Sequence, residues 1–283
     1  YLGREVAKMA TQLNPARKVV QLHFGGGSPT FLRPDEIRRL GDIIHKHFMF
    51  STDIEASVEV DPRRLTRDHL VALREVGFNR ASMGVQDFNP KVQEAIHRIQ
   101  PRAMTQQAID WMRELGYGSI NLDLIYGLPH QTRHSVNETI LKVLALQPDR
   151  IAIFGYAHLP ARLKHQRLID EKVLPGVMER FGQSRRLNRV VTAAGYKTVG
   201  LDHYAKPADK LADEGIRRNF QGYTTDVSDA LIGFGASAIG QLPQGYVQNA
   251  VAAGVYESMV STSGLAAARG IQPGRRRCRA GSA

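Results

Sequence analysis

Hydrophobic and polar positions follow two different periods along the first 160 residues of the chain. Short runs with a two-residue alternation predict strands, and longer segments with apolar residues every three or four positions predict helices. The predicted strands are residues 19–24, 55–61, 79–86, 119–126 and 150–156, and the predicted helices are 2–13, 34–48, 66–76, part of 87–116, and 135–146. Strand and helix alternate, which predicts an α/β fold whose parallel strands close toward a partial barrel.

Polar residues stand at the ends of four of these strands, each about one βα unit after the last. Because the carboxyl ends of parallel strands meet at one edge, we expect one ring of ligand-binding groups there. The ring consists of Gly25–Ser28, Glu59, Gln86 and Asp123.

The glycine triplet 25–27 leaves backbone N–H groups accessible to a ligand. An isolated triplet more often forms a tight turn without a ligand, but the polar residues at the other strand ends favour a ligand here. No Lys-Ser/Thr pair follows it at P-loop spacing, and Thr30 occupies the last glycine position of a dinucleotide fingerprint.

Each polar residue also has a plain structural interpretation. Glu59 and Asp123 fit paired core charges, because both lie in apolar strands. Gln86 is suited to a backbone or a ligand hydrogen bond. Sequence statistics alone place Arg98 on a solvated helix, and they make His23 a satisfied core histidine.

Composition narrows the function classes. The 283 residues allow one large barrel or two domains, and no apolar run reaches the length of a membrane span. Apart from arginines near the end, the net charge of +11 is spread out, which predicts no nucleic-acid surface and suits an anionic partner such as a polycarboxylate. The single cysteine, Cys278, predicts a cytoplasmic protein without internal disulfides or a multi-cysteine metal site.

Several segments together resemble the oxygen-independent coproporphyrinogen III oxidases, a radical S-adenosylmethionine family. The resemblance covers about residues 1–250. Its segments are 25–30 (Gly-Gly-Gly-Ser-Pro-Thr), 57–62 (Ser-Val-Glu-Val-Asp-Pro), 78–88, 121–129, 156–160, 219–225 and 235–239. The Gly-Val-Gln-Asp-Phe and Asn-Phe-Gln-Gly-Tyr stretches distinguish the chain from the related haem chaperones.

The resemblance implies a [4Fe–4S] cluster and two S-adenosylmethionine molecules. Contacts to the cluster-bound molecule match Gly26, Glu59, Ala157 and Ile239. Contacts to the second molecule match Gly27, Ser28, Gln86, Arg98 and Asp123. The family context therefore makes Arg98 an expected ligand, and Ser28 keeps the hydroxyl of the commoner threonine.

The implied oxidoreductase reaction belongs to haem and porphyrin biosynthesis. Two propionates of coproporphyrinogen III are oxidatively decarboxylated to vinyl groups, giving protoporphyrinogen IX. The reduced cluster passes an electron to S-adenosylmethionine, and the resulting radical takes a hydrogen from the propionate. An electron donor and acceptor are implied partners, and we expect a monomer. The sequence assigns no catalytic residue and no metal ligand.

The chain also departs from the family. A Cys-x3-Cys-x2-Cys loop and the first strand would precede Tyr1. We therefore expect a fragment that lacks both, holds no cluster and is inactive alone. Residues 1–160 are the predicted radical SAM partial barrel, 161–249 the rest of the barrel with a substrate-side extension, and 250–283 a truncated, atypical tail. We expect residues 270–283 to be disordered, from a shifted reading frame or, alternatively, as a basic nucleic-acid arm. A haem-binding chaperone and an inactive remnant are the alternative functions.

Overall fold

The computed structural model describes residues 1–213, 215–219, 222–226, 228 and 230–272. The chain divides into two compact units, and each is described by itself. The smaller unit takes Tyr1–Val20, Leu40–Thr52 and the described part of Asp226–Ala283, and the larger takes Gln21–Arg39 and Asp53–Thr225. The predicted segments 1–160, 161–249 and 250–283 rest on the resemblance and stay a prediction.

The larger unit is built mainly on a seven-stranded sheet. Its spatial order is β1 (Lys18–Phe24), β2 (Met49–Val60), β3 (Arg80–Gln86), β4 (Ser119–Tyr126), β5 (Arg150–Gly155), β7 (His203–Ala205) and β6 (Lys197–Val199). Strands β2 to β5 are parallel, β7 pairs antiparallel with β5, and β6 pairs antiparallel with β7. The predicted α/β fold is confirmed. Within the described residues the sheet stays open rather than closing into a barrel.

Helices separate the parallel strands, as the alternating pattern predicts. They are α2 (Pro34–His47), α3 (Arg67–Val76), α4 (Pro90–Ala95), α5 (Arg102–Glu114), α6 (Arg133–Leu144) and α7 (Val177–Ala193). Helix α3 begins at the predicted Thr66 cap, whose side chain accepts a hydrogen bond from His69 N, and it ends at Gly77 with φ 110°. Helix α6 begins two residues before the predicted start because Thr132 and Ser135 form a capping box.

The two faces of the parallel strands have opposite character. One face carries the largest fully buried side chains of the strands, including Met83, Leu122 and Ile151, each 0% exposed. These residues belong to the main hydrophobic core, together with residues of the surrounding helices. On β3 and β4 the residues at the alternate positions are mostly polar, such as Arg80, Ser82, Asn121 and Asp123, and they face the other side. The sheet therefore separates an apolar core from a polar surface.

The smaller unit contains α1 (Leu2–Ala10), α8 (Ala253–Ser263) and an antiparallel sheet of β10 (Ile239–Leu242), β11 (Gly245–Asn249) and β12 (Ala267–Ile271). The carboxylate of Glu5 is buried there and accepts hydrogen bonds from Gly235 N, Asn249 Nδ2 and Tyr256 Oη at 2.9, 2.6 and 2.7 Å. These bonds hold α1, α8 and the loop before β10 together.

The end of the chain differs in part from expectation. Gly270 and Ile271, placed by the sequence in a disordered tail, instead pair with Val247 and Tyr246 in β12. The rest of that predicted tail, residues 273–283, lies outside the described residues.

The larger unit also contains a short hairpin of β8 (Arg217–Asn219) and β9 (Gly222–Thr224). Among the described helices, none has both the length and the apolar character needed to cross a membrane.

Candidate functional site

The polar side of the sheet lines a cleft of about 260 Å³. The side chains come from alternate positions of neighbouring strands, which is the two-residue period of a strand. They include His23, Glu55, Ser57, Glu59, Arg80, Ser82, Asn121, Asp123, Phe154 and His203, with Tyr223 from the hairpin. The cleft therefore contains two of the predicted site residues, Glu59 and Asp123.

The glycine turn after β1 meets the end of β2. A Cβ atom at Gly25 would overlap His23 Nε2 and lie 3.0 Å from Glu59 Oε1, so a side chain here would displace the His23 ring or the Glu59 carboxylate. Gly26, with φ +99°, donates its N–H to Glu59 Oε2 at 3.3 Å. Gly26 and Gly27 have open space where a side chain would stand. The turn thus forms an exposed backbone cradle fastened to Glu59.

His23 favours the ionised form of Glu59. Nε2 of His23 lies 3.5 Å from Glu59 Oε1, while its Nδ1 is 2.8 Å from Ser57 Oγ. The hydrogen bond with His23 lowers the pKa of Glu59, although burial opposes the shift. Glu59 is therefore ionised at neutral pH and is able to accept a hydrogen bond from an ammonium group. His23 is bonded on both sides of its ring, as expected for a satisfied histidine.

Gln86 and Arg98 come together at the end of β3. The pairing register shifts between Gly84 and Gln86, and Gln86 has φ 65°. A Cβ atom at Gly84 would lie 2.5 Å from Gln86 Nε2 and 3.3 Å from Arg98 Nη2. Both side chains therefore cross the space that Gly84 leaves open.

Arg98 is not the solvated helix residue that sequence statistics indicate. It lies beyond the end of α4, and its side chain is 19% exposed. Nη2 donates to Gly84 O at 2.9 Å, and Nη1 lies 3.5 Å from Asp61 Oδ2. The statistical interpretation is wrong because the chain turns back at His97, with φ 52°, and carries Arg98 toward β3.

The guanidinium of Arg98 has an unused donor. Its Nε is buried and has no hydrogen-bond partner within the described part of the chain. Burial lowers the pKa of Arg98, and Asp61 opposes that shift. Because arginine stays charged in proteins, a ligand acceptor at Nε would satisfy a buried cationic donor. This feature fits the carboxylate of an amino-acid ligand.

Asp123 lies on β4 between two small neighbours. Its Oδ1 accepts from Asn121 Nδ2 at 2.6 Å and its Oδ2 from Ser82 Oγ at 3.2 Å. Burial raises the pKa of Asp123, and these two hydrogen bonds oppose the shift. Its partners in register are Gly84 on β3 and Ala152 on β5. The small side chains leave room beside the carboxylate for a polar group.

The remaining predicted residues have different surroundings. Ser28 Oγ lies 3.3 Å from Thr30 Oγ1 behind the glycine turn. Ala157 is exposed after β5, and its carbonyl accepts from Gln166 Nε2 at 3.0 Å. Ile239 belongs to the smaller unit, where it begins β10 and pairs with Gln248. The structure thus joins Gly26 with Glu59 and Gln86 with Arg98, and the nine residues stay a predicted binding set.

Sequence reasoning missed Glu55 and Arg80, which line the cleft, and the ion pair of Arg150 and Asp209 beside Glu55. Arg80 donates to Glu55 at 2.5 Å, and Arg150 donates to Asp209 at 2.8 Å with both side chains almost fully buried. Glu55 lies an even number of positions from Glu59, and Arg80 an even number from Ser82. Strand alternation therefore predicts that each pair faces the same side of the sheet. Asp209 follows β7 far along the chain, and no local signal pairs it with Arg150.

The described residues also bear on whether the chain could hold a metal ion or cluster. Across residues 1–213 and the later described ranges, no three His, Cys, Asp or Glu side chains converge as a metal site. The single cysteine of the chain, Cys278, lies outside the described residues. One cysteine cannot supply three thiolates, so these 283 residues do not fit an iron–sulfur cluster by themselves.

Comparison with known proteins gives the family of the chain. The sequence model described as "Radical SAM superfamily" matches residues 3–143. The chain belongs to the radical SAM superfamily, and its open α/β sheet with polar strand ends is the scaffold on which this site is built. The curated relatives described next carry a more specific name, oxygen-independent coproporphyrinogen III oxidase.

The enzyme of Bradyrhizobium diazoefficiens is 47% identical over 273 residues, which cover 95% of this chain and 61% of the relative. The enzyme of Pseudomonas aeruginosa is 43% identical over 276 residues, covering 95% and 60%. The solved coproporphyrinogen III oxidase of Escherichia coli, described as a radical SAM enzyme, matches with 42% identity and a TM-score of 0.93, covering 96% and 63%. The chain thus spans about three fifths of the length of these relatives.

Proposed function

We propose that the protein containing these residues is an oxygen-independent coproporphyrinogen III oxidase of haem biosynthesis. In this reaction each of two propionates, –CH2–CH2–COO⁻, loses one hydrogen atom, one electron and CO2 to become a vinyl group. The observation that carries the proposal is the polar cleft: Glu59 at its glycine cradle and Asp123 beside Gln86 and Arg98, on a fold shared with the Escherichia coli enzyme. The named relatives are oxidases, which favours this function over a haem chaperone.

Radical SAM proteins use S-adenosylmethionine and a [4Fe–4S] cluster. We propose two S-adenosylmethionine molecules for this protein. The first contacts Gly26, Glu59, Ala157 and Ile239, and the second contacts Gly27, Ser28, Gln86, Arg98 and Asp123. Support comes from the ionised Glu59, which suits an ammonium group, and from Arg98 Nε, which suits a carboxylate. The cofactor supplies the hydrogen-abstracting chemistry, and these residues bind and orient it.

We also propose the partners and setting of the protein. The substrate is coproporphyrinogen III, and an outside donor and acceptor exchange electrons with the enzyme. The net charge of +11 suits a substrate with four carboxylates. A monomeric, cytoplasmic protein without nucleic-acid or membrane partners is in keeping with the single cysteine and the dispersed charge.

Two measurements test this function. Calorimetric titration of this chain with S-adenosylmethionine should show binding, and Arg98→Ala should weaken it. Anaerobic reconstitution with iron and sulfide is then performed on this chain and on the longest natural reading frame that contains it. We expect only the longer protein to take up iron, release 5′-deoxyadenosine and convert coproporphyrinogen III.

The outcomes separate the alternatives. Haem binding by the longer protein without turnover would identify a haem chaperone. Loss of iron uptake, turnover and haem binding together would identify an inactive remnant. Absence of S-adenosylmethionine binding by this chain would contradict the assignment of the cleft itself.

A further inference from the structure

One row of the sheet brings an unassigned histidine to the level of Asp123. Across four neighbouring strands the residues in register are Gly84, Asp123, Ala152 and His203. Partners in register point to the same side of a sheet, and both Asp123 and His203 line the cleft. Only Ala152 stands between them, so two strand spacings, about 10 Å, separate their backbones. The row leaves an open space between a carboxylate and an imidazole.

The imidazole of His203 is held in a fixed orientation. Its Nδ1 lies 2.7 Å from Asp202 Oδ1. The ring meets Phe154 and Tyr223 edge-on, with centroids 5.6 and 5.0 Å away. Tyr223 is itself held, since its hydroxyl accepts a hydrogen bond from Leu201 N at 3.0 Å. Two contacts and one hydrogen bond therefore fix the ring from three sides.

The other ring nitrogen is available to a ligand. For Nε2 of His203, the described residues provide no hydrogen-bond partner. The Asp202 carboxylate accepts the hydrogen bond from Nδ1–H, and in that tautomer Nε2 is the acceptor of the ring. The nearby groups also accept: Asp123 is a carboxylate, and Asn121 Oδ1 is buried without a partner in the described residues. This part of the cleft calls for a ligand that brings donors.

Size and shape narrow the ligand. The cleft holds about 260 Å³, which is below the roughly 300–1,000 Å³ of sites that enclose a whole drug-sized molecule. It therefore suits one part of a larger ligand. The aromatic edges of Phe154 and Tyr223 suit a flat heteroaromatic base. Hydroxyl and amino donors next to an aromatic base describe a nucleoside.

We propose that Nε2 of His203 accepts a hydrogen bond from the adenosine part of the S-adenosylmethionine bound at Asp123, with Asp202 holding the ring in place. This inference rests on the proposed function, which supplies the cofactor. It adds a ligand-binding residue to the predicted set on the opposite side of Asp123 from Gln86 and Arg98.

The test uses two substitutions that separate the two ring nitrogens. In His203→Asn the amide can still bond Asp202 but nothing reaches the position of Nε2, whereas in His203→Gln the amide reaches that position. Calorimetry then measures binding of S-adenosylmethionine, 5′-deoxyadenosine and methionine to each variant. His134→Asn, at a side chain that is 84% exposed, is the matched control.

We expect His203→Asn to weaken binding of S-adenosylmethionine and 5′-deoxyadenosine by about three- to tenfold, the worth of one hydrogen bond. His203→Gln should retain most of the affinity, and His134→Asn all of it. Thermal unfolding of each variant checks folding. If His203→Asn fails to fold, Asp202→Ala carries the test, because it frees the ring and must also weaken 5′-deoxyadenosine binding.

Several results would overturn the inference. Unchanged affinity in His203→Asn, equal losses in Asn and Gln variants, or a loss for S-adenosylmethionine but not for 5′-deoxyadenosine would each do so. All of these presuppose that the unaltered chain binds S-adenosylmethionine. Its failure to bind would refute the proposed cofactor site together with this inference.

Discussion

Asp87 is the buried group on which the presentation of Gln86 depends. It is 0% exposed and follows Gln86 directly, where the backbone turns through a positive φ. Its carboxylate accepts from Asn89 N at 2.6 Å, Thr139 Oγ1 at 2.7 Å and Gln131 Nε2 at 2.5 Å. Burial raises the pKa of Asp87, and the three hydrogen bonds oppose the shift.

Two substitutions should cost different amounts of stability. Asp87→Ala removes all three bonds, but Gln131 Nε2 still has Ile125 O and Thr139 Oγ1 still accepts from Phe88 N. Asn89 N and the Thr139 O–H are the donors that lose their acceptor, so we expect a loss of about 2–4 kcal/mol, combining these two groups with the lost bond to Gln131. Asp87→Asn keeps the Oδ1 bonds and opposes only Gln131, donor against donor, for about 1–2 kcal/mol.

The assay is urea denaturation followed by the fluorescence of Trp111, the single tryptophan of the chain. Trp111 lies on α5 and packs against the core of the larger unit, so it reports that unit. The exposed Asp110→Ala is the matched control and should change the free energy of unfolding by less than about 0.5 kcal/mol. A loss below about 1 kcal/mol in Asp87→Ala, or a larger loss in Asp87→Asn than in Asp87→Ala, would refute this account of the network.

Three further predictions concern the site. Gly84→Ala places a Cβ atom 2.5 Å from Gln86 Nε2 and should weaken S-adenosylmethionine binding in calorimetry. Gly118→Ala is the control and should leave binding unchanged, because its Cβ atom would lie 3.8 Å from the nearest atom, Asn79 O. Arg98→Lys loses the fork that spans Gly84 O and Asp61 and should weaken binding about tenfold, and equal affinity would contradict a role for the fork. The raised pKa of Asp123 means that its ionisation destabilises the folded state. The stability of the wild type relative to Asp123→Asn should therefore fall as pH rises from 3.8 to the folded pKa. Urea titrations across that range check the sign, and the variant should be the more stable protein at neutral pH but the weaker binder.

Local signals explain which elements could be predicted from the sequence. Strand β4 has the predicted bounds, and α3 lies between Thr66 and Gly77 as its capping residues indicate. Strands β6 and β7 have three residues each, which is too short for a period to be recognised. Their place beside β5 depends on long-range pairing, and so His203 gave no signal of its position near Asp123.

The candidate site shows the same division between local and distant information. Strand alternation indicates which side chains share a face, and it places Glu59 and Asp123 correctly at the polar side of the sheet. Alternation does not predict which charged residues form ion pairs. Arg98 and Asp61, for example, are far apart in sequence and come together only because the chain turns at His97. Only the resemblance to the family makes Arg98 an expected ligand, because residue statistics alone place it on a solvated helix.

The contacts within the cleft bear on how it binds a ligand. Glu59 is held by His23 and Gly26, and Asp123 is held by Asn121 and Ser82. Each carboxyl group has more acceptor lone pairs than these bonds use. A ligand therefore adds hydrogen bonds to groups that already have fixed positions, and little ordering entropy is lost on binding. By this reasoning His23 and Ser82 act on affinity through the geometry of the carboxylates that they hold in place.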